Sequence, residues 1–315
     1  MDRPLQIEHT FVVENECYGW RLDRFLKKKI PRLSRVRVQR VIRGECWVNG
    51  RACKPSQIVS PGQKVVFRRP APVEPDVPRT LPVLHTDPDF YAFDKPAGLP
   101  MHPTAKYHYS TLTAVLREVY PSEPLQIAHR LDLETSGIVL VARSRESAII
   151  LKRAFARRKV QKRYLAIVHC PLDATPLADE GVIDLPLAVQ AAGIVRVKME
   201  VREDGLPSRT RYRVLSRAGE RALVECSPET GRQHQIRAHL CAIGHPIVGD
   251  KLYPDERVFA HYQDTGEHPF ELGRHALHAS QITFDHPSTG ERVVIDSPLP
   301  AELRAFLGDL GTANI

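Results

Sequence analysis

The sequence predicts an α+β protein with a central mixed, largely antiparallel sheet, preceded by a small basic α+β domain. Three observations predict this fold class. The chain has 315 residues, which exceeds what one ordinary core serves, so two domains are expected. Its apolar strand segments do not alternate strictly with helical segments, as they would in a doubly wound sheet. Its basic residues are concentrated in one segment, which indicates a separate small domain: residues 21–69 hold 15 Lys and Arg but only 2 Asp and Glu.

The bulk composition excludes several classes of protein. Hydrophobic residues make up 42% and charged residues 26% of the chain, as in ordinary globular proteins. No apolar run of 18 residues is present, so no membrane span is expected. The first residues lack a basic-then-apolar leader, which favours a cytoplasmic location. The six cysteines form no CxxC pair, so we expect reduced thiols rather than disulfides or a zinc site. A monomer is the default expectation.

The elements of the N-terminal domain, residues 1–69, follow from local signals. Residues 19–31 place apolar side chains on one face of a helix and basic side chains on the other. A second helix is expected to begin after Ser34, a favourable N-cap, and to end at Gly44. Asn49 and Gly50 between two short extended stretches indicate a hairpin. Residues 60–69 follow as a further strand.

The positive charge of this domain indicates a polyanionic partner. The net charge of residues 21–69 is +13, whereas the rest of the chain sums to −5. A concentrated basic surface is typical of proteins that bind nucleic acid. A merely solvated charged face is the alternative. The candidate binding side chains on the two helices are Arg24, Lys27, Lys28, Arg35, Arg37, Arg40 and Arg43.

A second, larger domain is predicted after a proline-rich linker. Five prolines between residues 70 and 82 disfavour both helix and interior strand. The second domain is expected to span residues 83–305, followed by a tail of residues 306–315. Its predicted strands cover residues 89–96, 137–144, 163–170, 221–228 and 275–284. Its predicted helices cover residues 111–119, 145–158 and 232–242.

Four stretches of the second domain carry polar groups that a hydrophobic core would not select: residues 94–104, 128–144, 162–169 and 229–253. Lys162 and Tyr164 share one face of a strand by its period of two. No GxSxG, GxGxxG, P-loop or HExxH motif is present. The remaining candidate is a carboxylate accompanied by arginines, with neither metal nor cofactor. Attack on a glycosidic bond is one chemistry open to such a group.

The same stretches carry a resemblance to a known family. HRLDLETSG, residues 129–137, is similar to HRLDxxTSG, the signature of RluA-type pseudouridine synthases. The other three stretches resemble that family's KPAG…HPT loop, tyrosine strand and arginine helix, and residues 276–291 resemble its late strand and turn. Two positions depart from the usual pattern: Asp94, where asparagine is common, and His169, where glycine often occurs.

The N-terminal domain resembles the small RNA-binding module named after a ribosomal small-subunit protein. The pattern of that module is RLDxxL, then SRxxxQxxIxxGxVxVNG, and then a late glycine. Cys46 takes a position that is usually aliphatic. The matching residues are Arg21-Leu22-Asp23, Leu26, Ser34-Arg35, Gln39, Ile42, Gly44, Val48-Asn49-Gly50 and Gly62.

The resemblance implies a pseudouridine synthase fold and the isomerisation of uridine in RNA without a cofactor. Asp132 would then be the catalytic carboxylate, which attacks either the sugar or the base. Arg237 would keep it ionised and oriented. Tyr164 would stack on a uracil that has left its helical stack. Considered alone, however, Asp132 would more often be a turn or capping residue.

Further roles follow from the same resemblance. Arg130 would fill the space that the uridine vacates in the RNA, Ile236 would form an apolar wall, and Lys162 would contact substrate. Large-subunit ribosomal RNA is the expected target, with transfer RNA as the alternative. A non-catalytic RNA-binding or ribosome-assembly factor on the same scaffold, and a hydrolase that releases free uracil, also remain open.

Overall fold

The computed structural model describes residues 6–31, 33–70, 74–104, 107–172, 175–192, 195, 197–253 and 255–307. The chain divides into two compact units, residues 1–74 and 75–315. The division falls within the predicted linker, residues 70–82. Residues 308–315 of the predicted tail lie outside the described residues. The last described helix crosses the predicted boundary at residue 305 and ends at Leu307.

The N-terminal unit is a four-stranded antiparallel sheet covered by two helices. Ser34 caps the second helix, because its side chain accepts a hydrogen bond from the backbone N–H of Arg37 at 3.3 Å. Asn49 and Gly50 have φ of 48° and 77°, as a two-residue hairpin turn requires. The sheet order is β1-β4-β2-β3, with the elements β1 (Gln6–Val12), α1 (Leu22–Lys29), α2 (Arg35–Glu45), β2 (Cys46–Val48), β3 (Arg51–Ala52) and β4 (Lys64–Pro70).

The predicted end of the second helix at Gly44 is wrong by one residue. Helix α2 continues through Gly44 to Glu45, and Cys46 already has the extended φ and ψ of the following strand. The chain therefore passes from helix to strand without a left-handed turn, so a glycine is not needed as a stop signal. The core of the unit lies between the helices and the sheet, where Phe25 and Phe67 are fully buried.

The C-terminal unit is built on one large mixed sheet, and the predicted α+β class is confirmed. None of its described helices, nor those of the N-terminal unit, is long and apolar enough to cross a membrane. The elements are β5 (Val83–Thr86), β6 (Phe90–Lys95), α3 (Leu112–Val119), β7 (Gln126–Ile127), β8 (Ser136–Ala142), α4 (Arg145–Ala156), β9 (Gln161–His169), β10 (Glu180–Asp184), β11 (Leu187–Val189), β12 (Met199–Val201), β13 (Arg209–Ala218), β14 (Arg221–Pro228), α5 (Gln235–Ala242), α6 (Glu256–Thr265), β15 (Leu277–Asp285), β16 (Arg292–Asp296) and α7 (Ala301–Leu307).

The order of the strands places β8 and β9 on either side of β15. The strand order of the sheet is β10-β13-β14-β9-β15-β8-β6-β5. In addition, β16 pairs with β15 and β7 pairs with β8. All pairings along it are antiparallel except that of β8 with β15. Every residue of β8 is buried, which explains its continuous β-branched and apolar sequence.

One glycine permits the parallel pairing at the centre of the sheet. Gly137 has φ of 108°, and a Cβ there would lie 2.3 Å from the backbone oxygen of Ala279 on β15. No side chain fits such a gap, so glycine lets the two backbones approach. The loop before β8 is thereby fixed against the start of β15.

Candidate active site

Asp132 lies in the loop between β7 and β8, where its backbone oxygen accepts a hydrogen bond from the N–H of Thr135 at 3.2 Å. The side chain of Lys95 anchors this loop through hydrogen bonds. Its ammonium group is fully buried and donates to the backbone oxygens of Pro96, Leu99 and Leu133 at 2.8, 3.0 and 3.2 Å. Burial lowers the pKa of Lys95 to about 7. The three carbonyl acceptors favour the charged form instead, because they match its three N–H donors.

Glu134, the second carboxylate of the loop, has a supporting role. Its side chain forms an ion pair with buried Lys251 and accepts the backbone N–H of His275 at 3.1 Å. The ring of His275 hydrogen-bonds Thr135 at 2.8 Å. Glu134 thus ties the loop to two other segments, and its oxygens are already used.

Arg237 of α5 stands between two carboxylates. Its Nη1 donates to Asp132 Oδ2 at 3.1 Å, while Nε and Nη2 donate to Asp250 at 2.6 and 2.9 Å. Asp250 also accepts the backbone N–H groups of Leu252 and Tyr253. The bidentate pair with Asp250 fixes the plane of the guanidinium and so aims its remaining N–H at Asp132.

The electrostatics of the site keep Asp132 ionised. Burial opposes ionisation, but nearby His234 and Arg237 outweigh it, so the pKa of Asp132 is lowered. Burial and the charge of Arg237 lower the pKa of His234 to about 4, so His234 is neutral at pH 7. The charge that acts on Asp132 at neutral pH is therefore mainly that of Arg237. Burial disfavours the charge of Arg237 too, but Asp250 and Asp132 reverse this effect and raise the pKa of Arg237.

Asp132 opens onto a cavity of about 450 Å³, within the size range of small-molecule sites. Lys162 and Tyr164 of β9 both line it, in agreement with their predicted common face. Burial and the negative charge of Asp132 raise the pKa of the Tyr164 hydroxyl, and burial lowers the pKa of Lys162. The cavity brings together the six residues that the sequence selected: Arg130, Asp132, Lys162, Tyr164, Ile236 and Arg237.

Three residues of the site were missed from the sequence. Asp250, which the sequence alone would assign to its turn, is the main partner of Arg237, and Lys95 is not among the residues selected from the sequence. His234 lies 3.9 Å from Asp132 through its Nε2 and has φ of 52°, which a residue with a Cβ rarely adopts. The predicted start of the helix at residue 232 is therefore wrong, because this left-handed residue delays α5 to Gln235. The close spacing of polar residues from 229 to 253 was the available signal.

The predicted binding residues on α1 of the N-terminal unit make intramolecular contacts. Arg24 packs over the Trp20 ring at 4.0 Å. Lys27 donates to the backbone oxygens of Pro31 and Leu33, and Lys28 pairs with Glu16. These cations partly serve the fold of the unit itself.

The predicted binding residues on α2 are more available. Arg35 contacts buried Asp23 at 3.4 Å but is itself two-thirds exposed. Arg37, Arg40 and Arg43 are exposed along the same helix. The structure therefore offers an exposed row of arginines on α2.

The described residues contain two groups with the donor atoms of a metal site. Glu14, Glu16 and Cys17 form one group, and Asp87, Asp89 and His286 form the other. Neither group lines the cavity. In the second group, Asp89 accepts hydrogen bonds from Ser147 and Ser288. All six cysteines are free thiols.

Comparisons with known proteins agree with this geometry. The family model for RNA pseudouridylate synthase matches residues 89–242. Ribosomal large subunit pseudouridine synthase D of Nitrosomonas europaea is 35% identical, over 94% of this chain and 86% of that protein. Synthase C of Vibrio cholerae is 32% identical, over 94% of each chain. The solved structure of human RNA Pseudouridylate Synthase Domain Containing 4 is 28% identical, with a TM-score of 0.56, and covers 71% of this chain and 91% of that one.

Together with these matches, the fold defines an isomerase that acts on RNA. More narrowly, the chain belongs to the RluA-type family of RNA pseudouridine synthases. This confirms the family and the reaction expected from HRLDLETSG.

Proposed function

We propose that this protein converts uridine to pseudouridine in large-subunit ribosomal RNA and that Asp132 is its catalytic carboxylate. The names of the relatives from Nitrosomonas europaea and Vibrio cholerae support this RNA target. The basic N-terminal unit supports it as well, since a dense row of arginines suits a large folded polyanion. An enzyme with this substrate would work in the cytoplasm.

One observation carries the catalytic assignment. Asp132 opens onto a cavity of about 450 Å³, and its Oδ2 accepts a hydrogen bond from Nη1 of Arg237 at 3.1 Å. The reaction breaks the bond between uracil N1 and ribose C1′, turns the base, and joins C5 to C1′. The proton on C5 leaves and N1 gains one, so no external oxidant or co-reactant is needed. An ionised carboxylate can act on the sugar or on the base in the first step.

The other cavity residues have distinct proposed tasks. The uridine must leave its stack at a cost of a few kcal/mol, and Arg130, which is exposed at the cavity, would occupy the gap in the RNA. Tyr164 would stack on the extruded base, and its hydroxyl, whose pKa is raised, stays protonated at neutral pH and can donate a hydrogen bond. Lys162 would contact the substrate, and Ile236 would form an apolar wall.

The N-terminal unit would hold the RNA through its phosphates. Arg37, Arg40 and Arg43 on α2 are the principal candidates, with Arg24, Lys27, Lys28 and Arg35 in support. Charge reversal of Arg37 and Arg40 to glutamate should weaken binding to long RNA and reduce its salt dependence. The turnover of a saturating short substrate should stay unchanged.

The test of the proposal replaces Asp132 with asparagine or alanine. Both variants should lose release of tritium from RNA labelled at uracil C5 while they still bind RNA. Asp204→Asn serves as the matched control, because Asp204 is exposed and pairs with Arg202 away from the cavity. Wild-type turnover by Asp132→Asn would refute the catalytic assignment.

The same labelled RNA separates the competing functions. A wild-type protein that releases no tritium would indicate a non-catalytic RNA-binding factor. Release of free uracil would indicate a hydrolase. Modification of transfer RNA but not of large-subunit fragments would refute the proposed target.

A further inference from the structure

The end of α4 and the segment after it carry a second dense run of cations. Residues 152–163 hold seven Lys and Arg and no Asp or Glu. Outside residues 21–69 the charges of the chain sum to −5, and all the excess positive charge was therefore expected in that segment. That sum hid a local concentration. Six of these cations are exposed, of which Lys152 hydrogen-bonds Gln126 and Arg163 pairs with Glu225. We call the remaining four the α4 ridge: Arg153, Arg157, Arg158 and Lys159.

The α4 ridge lacks the acidic partners that several other exposed arginines of the C-terminal unit have. Arg257 pairs with Asp255 at 2.6 Å, and Arg292 pairs with Asp285 at 3.0 Å. Among the described residues, no carboxylate lies within ion-pair distance of any residue of the α4 ridge. The helix dipole favours cations on the last turn of α4, but the run continues beyond the end of that helix. Neighbouring like charges repel each other, so an anionic partner would stabilise them.

The shape of the backbone brings the α4 ridge to the rim of the cavity. The predicted end of this helix at residue 158 is wrong, because α4 ends at Ala156 and Arg158 takes φ of 57°. This turn directs the chain along the cavity, which Phe155, Arg158 and Lys162 line. A further lining cation, Arg232, comes from a different segment, and its buried Nε has no hydrogen-bond partner among the described residues.

We propose that the α4 ridge binds the phosphates next to the target uridine, so that the C-terminal unit has an RNA contact surface of its own. This inference rests on the proposed function. A uridine in the cavity remains joined to its neighbours by two phosphodiesters, and these must leave across the rim. Guanidinium groups suit phosphate oxygens because they can donate two parallel hydrogen bonds. Of the α4 ridge, Arg158 lines the cavity and would contact the phosphate closest to the bound nucleoside. Arg157 and Lys159 would contact phosphates farther from the cavity.

The first experiment removes two charges that do not line the cavity, in the variant R157A/K159A. Its matched control is R257A/R292A, which removes two exposed arginines from ion pairs elsewhere. Two lost phosphate contacts should raise KM for a short ribosomal RNA fragment on the order of tenfold at physiological salt, and should flatten the logarithmic salt slope by about 1.4. The kcat of both variants should stay within twofold of wild type. Equal KM and equal salt slopes for the two variants would overturn the proposal.

The second experiment identifies which phosphates are bound. Dissociation constants are measured with full-length Asp132→Asn protein and a short single-stranded RNA that carries neutral methylphosphonates on both sides of the uridine. We expect these groups to weaken binding on the order of tenfold, but much less when R157A/K159A is also present, since the two changes remove the same contacts. Equal weakening in both backgrounds would overturn the proposal. This binding assay gives an answer even if wild-type protein modifies no large-subunit RNA, an outcome that would refute the proposed function instead.

Discussion

We expect the buried ion pair of Arg237 with Asp250 to contribute to the free energy of unfolding, and one isosteric substitution can test this. Asp250→Asn removes the charge of a fully buried carboxylate but keeps an oxygen for the backbone N–H groups of Leu252 and Tyr253. Removal of one partner of a buried pair costs about 3–5 kcal/mol. Arg237 retains Asp132 as a second partner, so we expect the lower end, about 3 kcal/mol.

The control for this prediction is the same substitution in an exposed pair. Asp285 and Arg292 lie 3.0 Å apart, and both side chains are about half exposed. Asp285→Asn should therefore cost less than about 1 kcal/mol. A difference of about 2 kcal/mol between the two variants is the quantity that tests our reasoning.

Urea denaturation can measure both variants with an internal reference. The two tryptophans, Trp20 and Trp47, both lie in the N-terminal unit. Their fluorescence should report an unchanged midpoint, while far-UV circular dichroism should follow the loss in the C-terminal unit. An Asp250→Asn protein as stable as Asp285→Asn would refute the claim that the buried pair anchors the site.

Three further predictions concern the charge, the backbone and a helix cap. Arg237→Gln removes a cation that lowers the pKa of Asp132. Because the proposed reaction needs this carboxylate ionised, the acid limb of the kcat/KM profile should move to higher pH, and an unmoved limb would contradict the proposal. Gly137→Ala should reduce Tm far more than Gly290→Ala: both glycines have positive φ, but only Gly137 faces a backbone oxygen at 2.3 Å. Ser34→Ala should cost about 1 kcal/mol in the N-terminal unit, read from tryptophan fluorescence, whereas an unchanged midpoint would show that the cap is dispensable.

Local sequence signals predicted most of the elements that carry the site. The buried strand β8 and the strand β9 were expected close to their observed positions, because apolar, β-branched runs are strong signals. The common face of Lys162 and Tyr164 followed from the strand period alone. The cap at Ser34 and the Asn49-Gly50 turn could also be predicted, because caps and tight turns depend on a few neighbouring residues.

Long-range features could not be predicted from one sequence. The parallel pairing of β8 with β15 joins segments that are about 140 residues apart, and only Gly137 hints at it. Asp250 has an obvious local task in its own turn, which concealed its pairing with Arg237. The left-handed backbone at His234 and Arg158 was also missed, because neither residue type signals positive φ. Each of these features depends on what packs against the residue.

The arrangement of Arg237 between two carboxylates has a consequence for synthesis of the chain. Asp132, Arg237 and Asp250 reach one another only after β15 has been inserted between β8 and β9, and β15 ends at Asp285. Contacts of such long sequence separation form slowly, because a large loop must close first. The nascent polypeptide must therefore emerge from the ribosome at least through β15 before this trio can assemble. Translation products that end before β15 should be inactive, so RNA should meet a competent protein only after β15 has been synthesised.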